Sequence, residues 1–266
     1  MSGSENPTED PRPTLFNRFW LALSFLTRIP VPKQLVFSQL ELNKAAAWFP
    51  WVGILVGVIH GLVTLFSLPL LGPGLAAAVG LMVSLGVTGA FHEDGLADSF
   101  DGLYGGYDPA KRLAIMKDSR LGTYGAGALF ITLLITWLAI TELAILISPP
   151  WLFLLIVTGH CVSRWFALVF MTTLDYVRDE GKSKPLATKM ADKEQLFASL
   201  PPLLLVLVFW LFSDFSLLLS FGPLVLIYLI WAKVIKSKIG GYTGDTLGAA
   251  QQLAFMGLLL TWVAQS

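Results

Sequence analysis

Charge is scarce in this 266-residue chain. Asp, Glu, Lys and Arg together make up 14%, against about 25% in soluble globular domains, too few to cover a water-exposed surface of this size. There is no basic excess either, with 18 Lys+Arg against 18 Asp+Glu, which argues against a sequence-independent nucleic-acid binder and leaves nucleic acid off the set of expected partners. The single cysteine, Cys161, rules out an intrachain disulfide framework and any cysteine-rich metal site. Residues 1–13 are polar and proline-rich, with Glu5, Glu9 and Asp10. They lack the basic start and adjoining apolar core of a cleaved secretory signal, and are expected to form a disordered cytoplasmic tail.

Apolar residues are abundant instead: 55% of the chain, with a mean hydropathy of +0.69. Seven apolar stretches lie at Ala45–Phe66, Leu75–Phe91, Ala126–Ile147, Trp151–Thr173, Leu196–Phe212, Phe215–Ala232 and Leu247–Ala264. Each is long enough to cross a ~30 Å hydrocarbon layer as a helix. Ahead of them, Phe16 to Leu26 is short and amphipathic, with Arg18 among Phe19, Trp20, Leu23 and Leu26. It is expected to lie in the membrane interface. The two prolines of Arg28-Ile29-Pro30-Val31-Pro32 exclude regular helix there. The expected fold is an all-α polytopic membrane bundle of about seven spanning helices plus an N-terminal interfacial helix, with residues 14–266 forming one integral-membrane catalytic domain.

Basic residues are placed asymmetrically. Seventeen of the 18 lie before the first stretch or in the loops after the second, fourth and sixth, and the three alternate turns hold none. The positive-inside rule then places the N-terminus and the three basic loops in the cytoplasm and the C-terminus outside. The remaining basic residue, Arg164, falls near the middle of the fourth stretch, where a charge costs about 2.5–3.5 kcal/mol on insertion scales. His160 precedes it by one helical turn. Two readings stay open for Arg164: an internal pair locking two helices, or a contact to an anionic substrate. His60 reads as an interior histidine without a role.

The strongest chemical signal follows the second stretch: His92-Glu93-Asp94-Gly95-Leu96-Ala97-Asp98-Ser99-Phe100-Asp101-Gly102-Leu103-Tyr104-Gly105-Gly106. Four carboxylates fall within nine residues with no basic residue between them. Asp94, Asp98 and Asp101 are spaced i, i+4, i+7, which on a helix puts them on one face. Their mutual repulsion calls for a counter-charge, and hard oxygen ligands suit Mg²⁺ or Mn²⁺. The interleaved Gly95 and Gly102 are expected to leave backbone room for a phosphate ester. A second motif, Lys117-Asp118-Ser119-Arg120-Leu121-Gly122-Thr123-Tyr124-Gly125, offers two cations beside that site. A third, Gly240-Gly241-Tyr242-Thr243-Gly244-Asp245-Thr246-Leu247-Gly248-Ala249-Ala250-Gln251-Gln252, runs a glycine-rich turn into a helix start. That arrangement caps a helix and can also receive an anion, with the glutamines placed to read a base or sugar.

Together these segments resemble the cobalamin synthase family, the adenosylcobinamide-GDP ribazoletransferases. The resemblance covers Thr27–Pro32, His92–Gly106, Lys117–Gly125, Ser163-Arg164-Trp165 and Gly240–Gln252. It implies a Mg²⁺-dependent, multi-pass inner-membrane enzyme acting on the cytoplasmic side. Its substrates would be adenosylcobinamide-GDP and α-ribazole or α-ribazole 5′-phosphate, and its products adenosylcobalamin or its 5′-phosphate and GMP. On this reading Glu93, Asp94, Asp98 and Asp101 hold the metal. Asp94, Asp98 and Asp101 are the catalytic set, with one of them, for instance Asp101, free to accept the hydroxyl proton. Lys117, Arg120 and Arg164 hold the diphosphate, and Asp118, Thr243, Asp245 and Gln251 complete the substrate contacts. Association with a second copy stays open. Three other readings remain: a transferase like the CDP-alcohol phosphotransferases, whose Asp-Gly-x-x-Ala-Arg run is lacking here; a prenyltransferase; and a transporter.

Overall fold

The computed structural model describes residues 15–178, 190–212 and 217–266. The tail 1–13, the Ser213-Asp214 turn and Lys182, Lys184 and Lys189 lie outside these. The described residues are helical almost throughout: α1 Leu15–Leu26, α2 Gln39–Ala45, α3 Phe49–Thr88, α4 Phe91–Gly105, α5 Pro109–Ile115, α6 Thr123–Leu146, α7 Pro149–Thr173, α8 Asp192–Phe212, α9 Leu217–Ile239 and α10 Gly244–Val263. This is the all-α membrane fold read from the sequence. Among the described residues, four segments are long and apolar enough to cross a membrane: Gln39–Thr88, α6, α7 and α10. The first is double length and carries both of the first two expected spans.

The break between the first two apolar stretches is narrow. Helix continues through Ser67, and the break is confined to Gly72, at φ 73° and ψ 171° between Pro69 and Pro73. Proline removes a helical donor, and glycine tolerates the positive φ. Near the break, Trp137 of α6 donates from Nε1 to the Gly74 carbonyl at 2.7 Å. In a lipid phase such a carbonyl must be satisfied from within the protein.

α7 and α10 form the centre. Their apolar windows are 78% and 72% buried, against 28% for those of α3 and α6. α3 reaches α7 through glycines four residues apart. A Cβ at Gly53 would lie 2.5 Å from the His160 carbonyl oxygen, one at Gly57 2.7 Å from the Val157 Cα, and one at Gly61 2.7 Å from the Phe153 ring. Close backbone approach at small residues is how helices associate where lipid removes the hydrophobic driving force. α4 crosses α10 by the same means. A Cβ at Gly95 would meet the Asp245 carbonyl at 2.9 Å, and one at Gly248 would lie 3.2 Å from the His92 carbonyl. Gly102 packs against Met116 and the Arg112 carbonyl. Gly102 therefore serves helix packing and does not hold open space for a phosphate ester as the sequence suggested, while Gly95 both admits the Asp245 backbone and lines a cavity.

α1 ends where Thr27 turns its hydroxyl back to the Leu23 carbonyl, just before the proline-bearing segment. Its buried residues Leu21, Ala22, Leu23 and Leu26 join the apolar core.

Candidate active site

The acid motif folds as α4, outside the candidate spans. Ala90, at φ 53°, turns the chain between α3 and α4. The Gly95–Gly248 crossing then sets the first two turns of α4 against the start of α10. There Thr243 and Thr246 form a reciprocal capping box. The approach is fixed from the other side too. Tyr242 donates its N–H to the Asp175 carbonyl at 2.9 Å, and Val177 donates to the Tyr242 carbonyl at 3.1 Å. Gly240, at φ 87°, makes the turn, and any Cβ on Gly241 would run into the Asp175 carbonyl. This bridge places Arg178 on Asp245, to which its guanidinium donates.

These elements enclose a cavity of about 630 Å³. Glu93, Asp94, Asp98 and Asp245 line it with Lys117, Arg178 and Arg28. Burial pushes the Asp98 carboxyl up to about 7, and the neighbouring Asp245 and Asp94 carboxylates push it the same way. Burial is the larger cause, and the crowding of carboxylates adds to it against a partial offset from Arg178. The donors are all hard oxygens, the type Mg²⁺ takes. Among the described residues no three His, Cys, Asp or Glu side chains stand close enough together to hold an ion. Mg²⁺ commonly takes only one or two carboxylates and completes its shell with water and substrate phosphate.

Asp101 does not join this set. Its Oδ2 accepts from the Gly122 N–H at 2.6 Å and its Oδ1 from the Gly125 N–H at 2.8 Å. A Cβ on either glycine would strike the carboxylate, which explains the glycines of the second motif. The spacing argument placed Asp101 at the right angle around the helix but overlooked distance along it. Seven residues carry it about 10 Å beyond Asp94, into reach of the start of α6. A carboxylate there meets unpaired amides and the positive end of the helix dipole.

The other expected site residues divide. Lys117 lines the cavity. Asp118 and Arg120 pair with each other at 2.6 Å, with the Arg120 side chain 87% exposed, and neither lines the cavity. Thr243 is fully buried as a helix cap. Gln251 is buried and donates to the Ser163 hydroxyl at 2.8 Å. Gln252 donates to Glu93 at 2.7 Å, holding α4 to α10.

Arg164 sits in the interior, 2% exposed. Its Nη1 donates to the His160 carbonyl and lies 3.1 Å from His160 Nδ1. His160 Nε2 lies 2.9 Å from His60 Nδ1, so His60 belongs to a buried polar chain that its solitary place in the sequence did not suggest. Glu93 Oε2 and Arg164 Nε, both buried, have no hydrogen-bond partner among the described residues. Among the described residues Arg164 forms no ion pair, and its hydrogen bonds stay within α7, so the carboxylate pair locking two helices is not formed here. Sequence reasoning also missed Arg178, which read only as a loop cation. Its partner Asp245 is 67 residues away, and no local pattern links them.

Fold and cavity together define a helical integral-membrane protein with a carboxylate-lined polar chamber at the ends of its helices. The profile of the cobalamin-5-phosphate synthase family matches residues 18–263, and the chain belongs to that family. It is 43% identical to the adenosylcobinamide-GDP ribazoletransferase of Shewanella pealeana, over 89% of this chain and 90% of that one. The enzyme of that name from Shewanella halifaxensis is 44% identical over the same shares. That from Ralstonia pickettii is 41% identical over 91% and 93%. No solved structure matches.

Proposed function

We propose that the chain carries out the final assembly step of cobalamin, joining α-ribazole or its 5′-phosphate to adenosylcobinamide-GDP. The observation that carries this reading is the meeting of Asp94, Asp98 and Asp245 with Lys117 and Arg178 in one large cavity, in a chain of this family. A ribose hydroxyl oxygen attacks the phosphorus on the cobinamide side of the diphosphate. The bond from that phosphorus to the bridging oxygen breaks, and GMP leaves. Such a transfer depends chiefly on positioning and charge neutralisation. Lys117 holds diphosphate oxygens and offsets their charge, and Arg178 neutralises Asp245 beside them. The hydroxyl proton passes to a cavity carboxylate. Asp101, whose two oxygens both accept backbone amides, is not that group.

Asp94 and Asp98, with Asp245 beside them, would hold Mg²⁺. When bound, the ion supplies charge neutralisation to the phosphate oxygens. The seventeen basic residues gathered on one side of the chain support a location in the inner membrane with this cavity facing the cytoplasm.

Purified protein with Mg²⁺ is expected to release GMP from adenosylcobinamide-GDP only when α-ribazole or its 5′-phosphate is present, and EDTA is expected to stop it. Folded protein that releases no GMP under these conditions removes the assignment. Release of inorganic pyrophosphate from a prenyl diphosphate would favour the prenyltransferase reading instead.

A further inference from the structure

We propose that Arg28, held on the cavity wall by the proline-bearing segment after α1, binds a phosphate of the nucleotide diphosphate. The inference rests on the reading above, since it takes the cavity's ligand to be that diphosphate. Arg28 lines the same cavity as Asp94, Asp98, Lys117 and Arg178, yet it reaches it from the opposite end of the chain to Arg178 and Asp245.

Its position is fixed by the backbone. The Arg28 N–H donates to the Val87 carbonyl at 2.7 Å. On one side Thr27 is tied to Leu23, and on the other the Ile29 N–H donates to the Thr27 hydroxyl at 3.2 Å. The side chain lies across Gly89, the residue that ends α3 at φ 63°. The Arg28 Nε lies where a Cβ on Gly89 would sit, so the side chain rests directly on the turn that the positive φ of Gly89 makes.

Its charge is unspent. Arg178 is engaged by Asp245, and Arg120 by Asp118 outside the cavity. Arg28 forms no ion pair with any described residue. Arg28 is exposed, and its backbone anchor presents a guanidinium without a carboxylate to a chamber proposed to receive two phosphates, which suits forked donation to phosphate oxygens. A lipid headgroup offers the same phosphate chemistry, because Arg28 follows directly on α1, which is expected at the membrane interface, and the test separates the two sources.

The experiment uses full-length protein in liposomes of neutral lipid and of neutral lipid with anionic phospholipid. It reads KM for each substrate and the Kd of GMP, measured directly without α-ribazole. Arg28→Gln is expected to raise the KM for adenosylcobinamide-GDP and the Kd of GMP roughly tenfold to hundredfold, the loss of a charge-assisted contact. The KM for α-ribazole is expected to stay unchanged in both lipids. Arg28→Lys keeps the charge but not the fork, and is expected to fall between, so it tests the same point should Arg28→Gln not fold. Unaltered GMP affinity and KM in either folded variant overturns the proposal. A defect that tracks anionic lipid content while GMP affinity stays at the wild-type value assigns Arg28 to headgroups and overturns it as well. A wild-type protein that binds GMP but forms no cobalamin product fails the functional reading instead, and the GMP affinity of the variants still reports on Arg28.

Discussion

Replacing Asp101 separates two roles that the acid motif confounds. The carboxylate is 8% exposed and accepts two backbone amides at the start of α6. Hydrogen bonds to a charged group are worth about 1.5–3 kcal/mol each. The Gly122 amide is only partly buried and can recover some of its share from water. Asp101→Ala is therefore expected to cost about 3 kcal/mol, mostly from the stranded Gly125 amide. Asp101→Asn keeps one acceptor but turns a donor toward the other amide, and is expected to cost about half as much. In a chain of this size 1 kcal/mol corresponds to about 2–4 °C, so the alanine variant should unfold roughly 6–12 °C earlier. The assay is thermal unfolding in detergent, in EDTA and across a Mg²⁺ titration. Ligand binding to the folded state raises its stability by mass action. Both variants should start lower in EDTA yet keep the full Mg²⁺-induced rise. Unfolding unchanged in EDTA, with the Mg²⁺ response gone, would refute the capping role and restore Asp101 as a metal ligand.

Two further outcomes test the remaining geometry. The Asp98 carboxyl is raised to about 7 by burial first and by Asp245 and Asp94 next. Its contribution to folding is thus complete below about pH 4, the ordinary aspartate range, and is lost as pH rises through 7. Asp98→Asn should abolish turnover and, without metal, stabilise the protein relative to wild type more at pH 8 than at pH 5. An equal difference at the two pH values in thermal unfolding would contradict the crowded-carboxylate account. Gly57→Val would push a Cβ against the Val157 Cα, 2.7 Å away, prising α3 from α7 at a cost of about 1–3 kcal/mol. An unfolding temperature equal to wild type would show that the crossing is not close-packed.

The helices were largely legible because the signal is local. The third expected stretch, Ala126–Ile147, became Thr123–Leu146, and the fourth, Trp151–Thr173, became Pro149–Thr173. A continuous apolar run and its flanking prolines and glycines act over a few residues. The acid motif was legible as a site for the same reason, since four carboxylates without a cation between them are unusual wherever they fold. The partition within the motif was not legible. Asp94 and Asp98 face the cavity while Asp101 caps α6, and that depends on where α6 begins relative to α4. Gly102 misled in a similar way: its missing side chain admits Met116 and the Arg112 carbonyl, not a ligand.

Composition and local pattern settled that this chain is a helical membrane protein carrying an oxygen-rich anionic site, because hydrophobicity, turn chemistry and charge spacing are properties of neighbouring residues. Which carboxylates share a chamber, which cations face them and where Arg164 goes were settled by packing. Arg178 meets Asp245 and Arg28 meets Gly89 across long stretches of chain. Contacts of that kind form only when glycine-lined crossings bring distant helices to backbone distance, and no short-range rule encodes them.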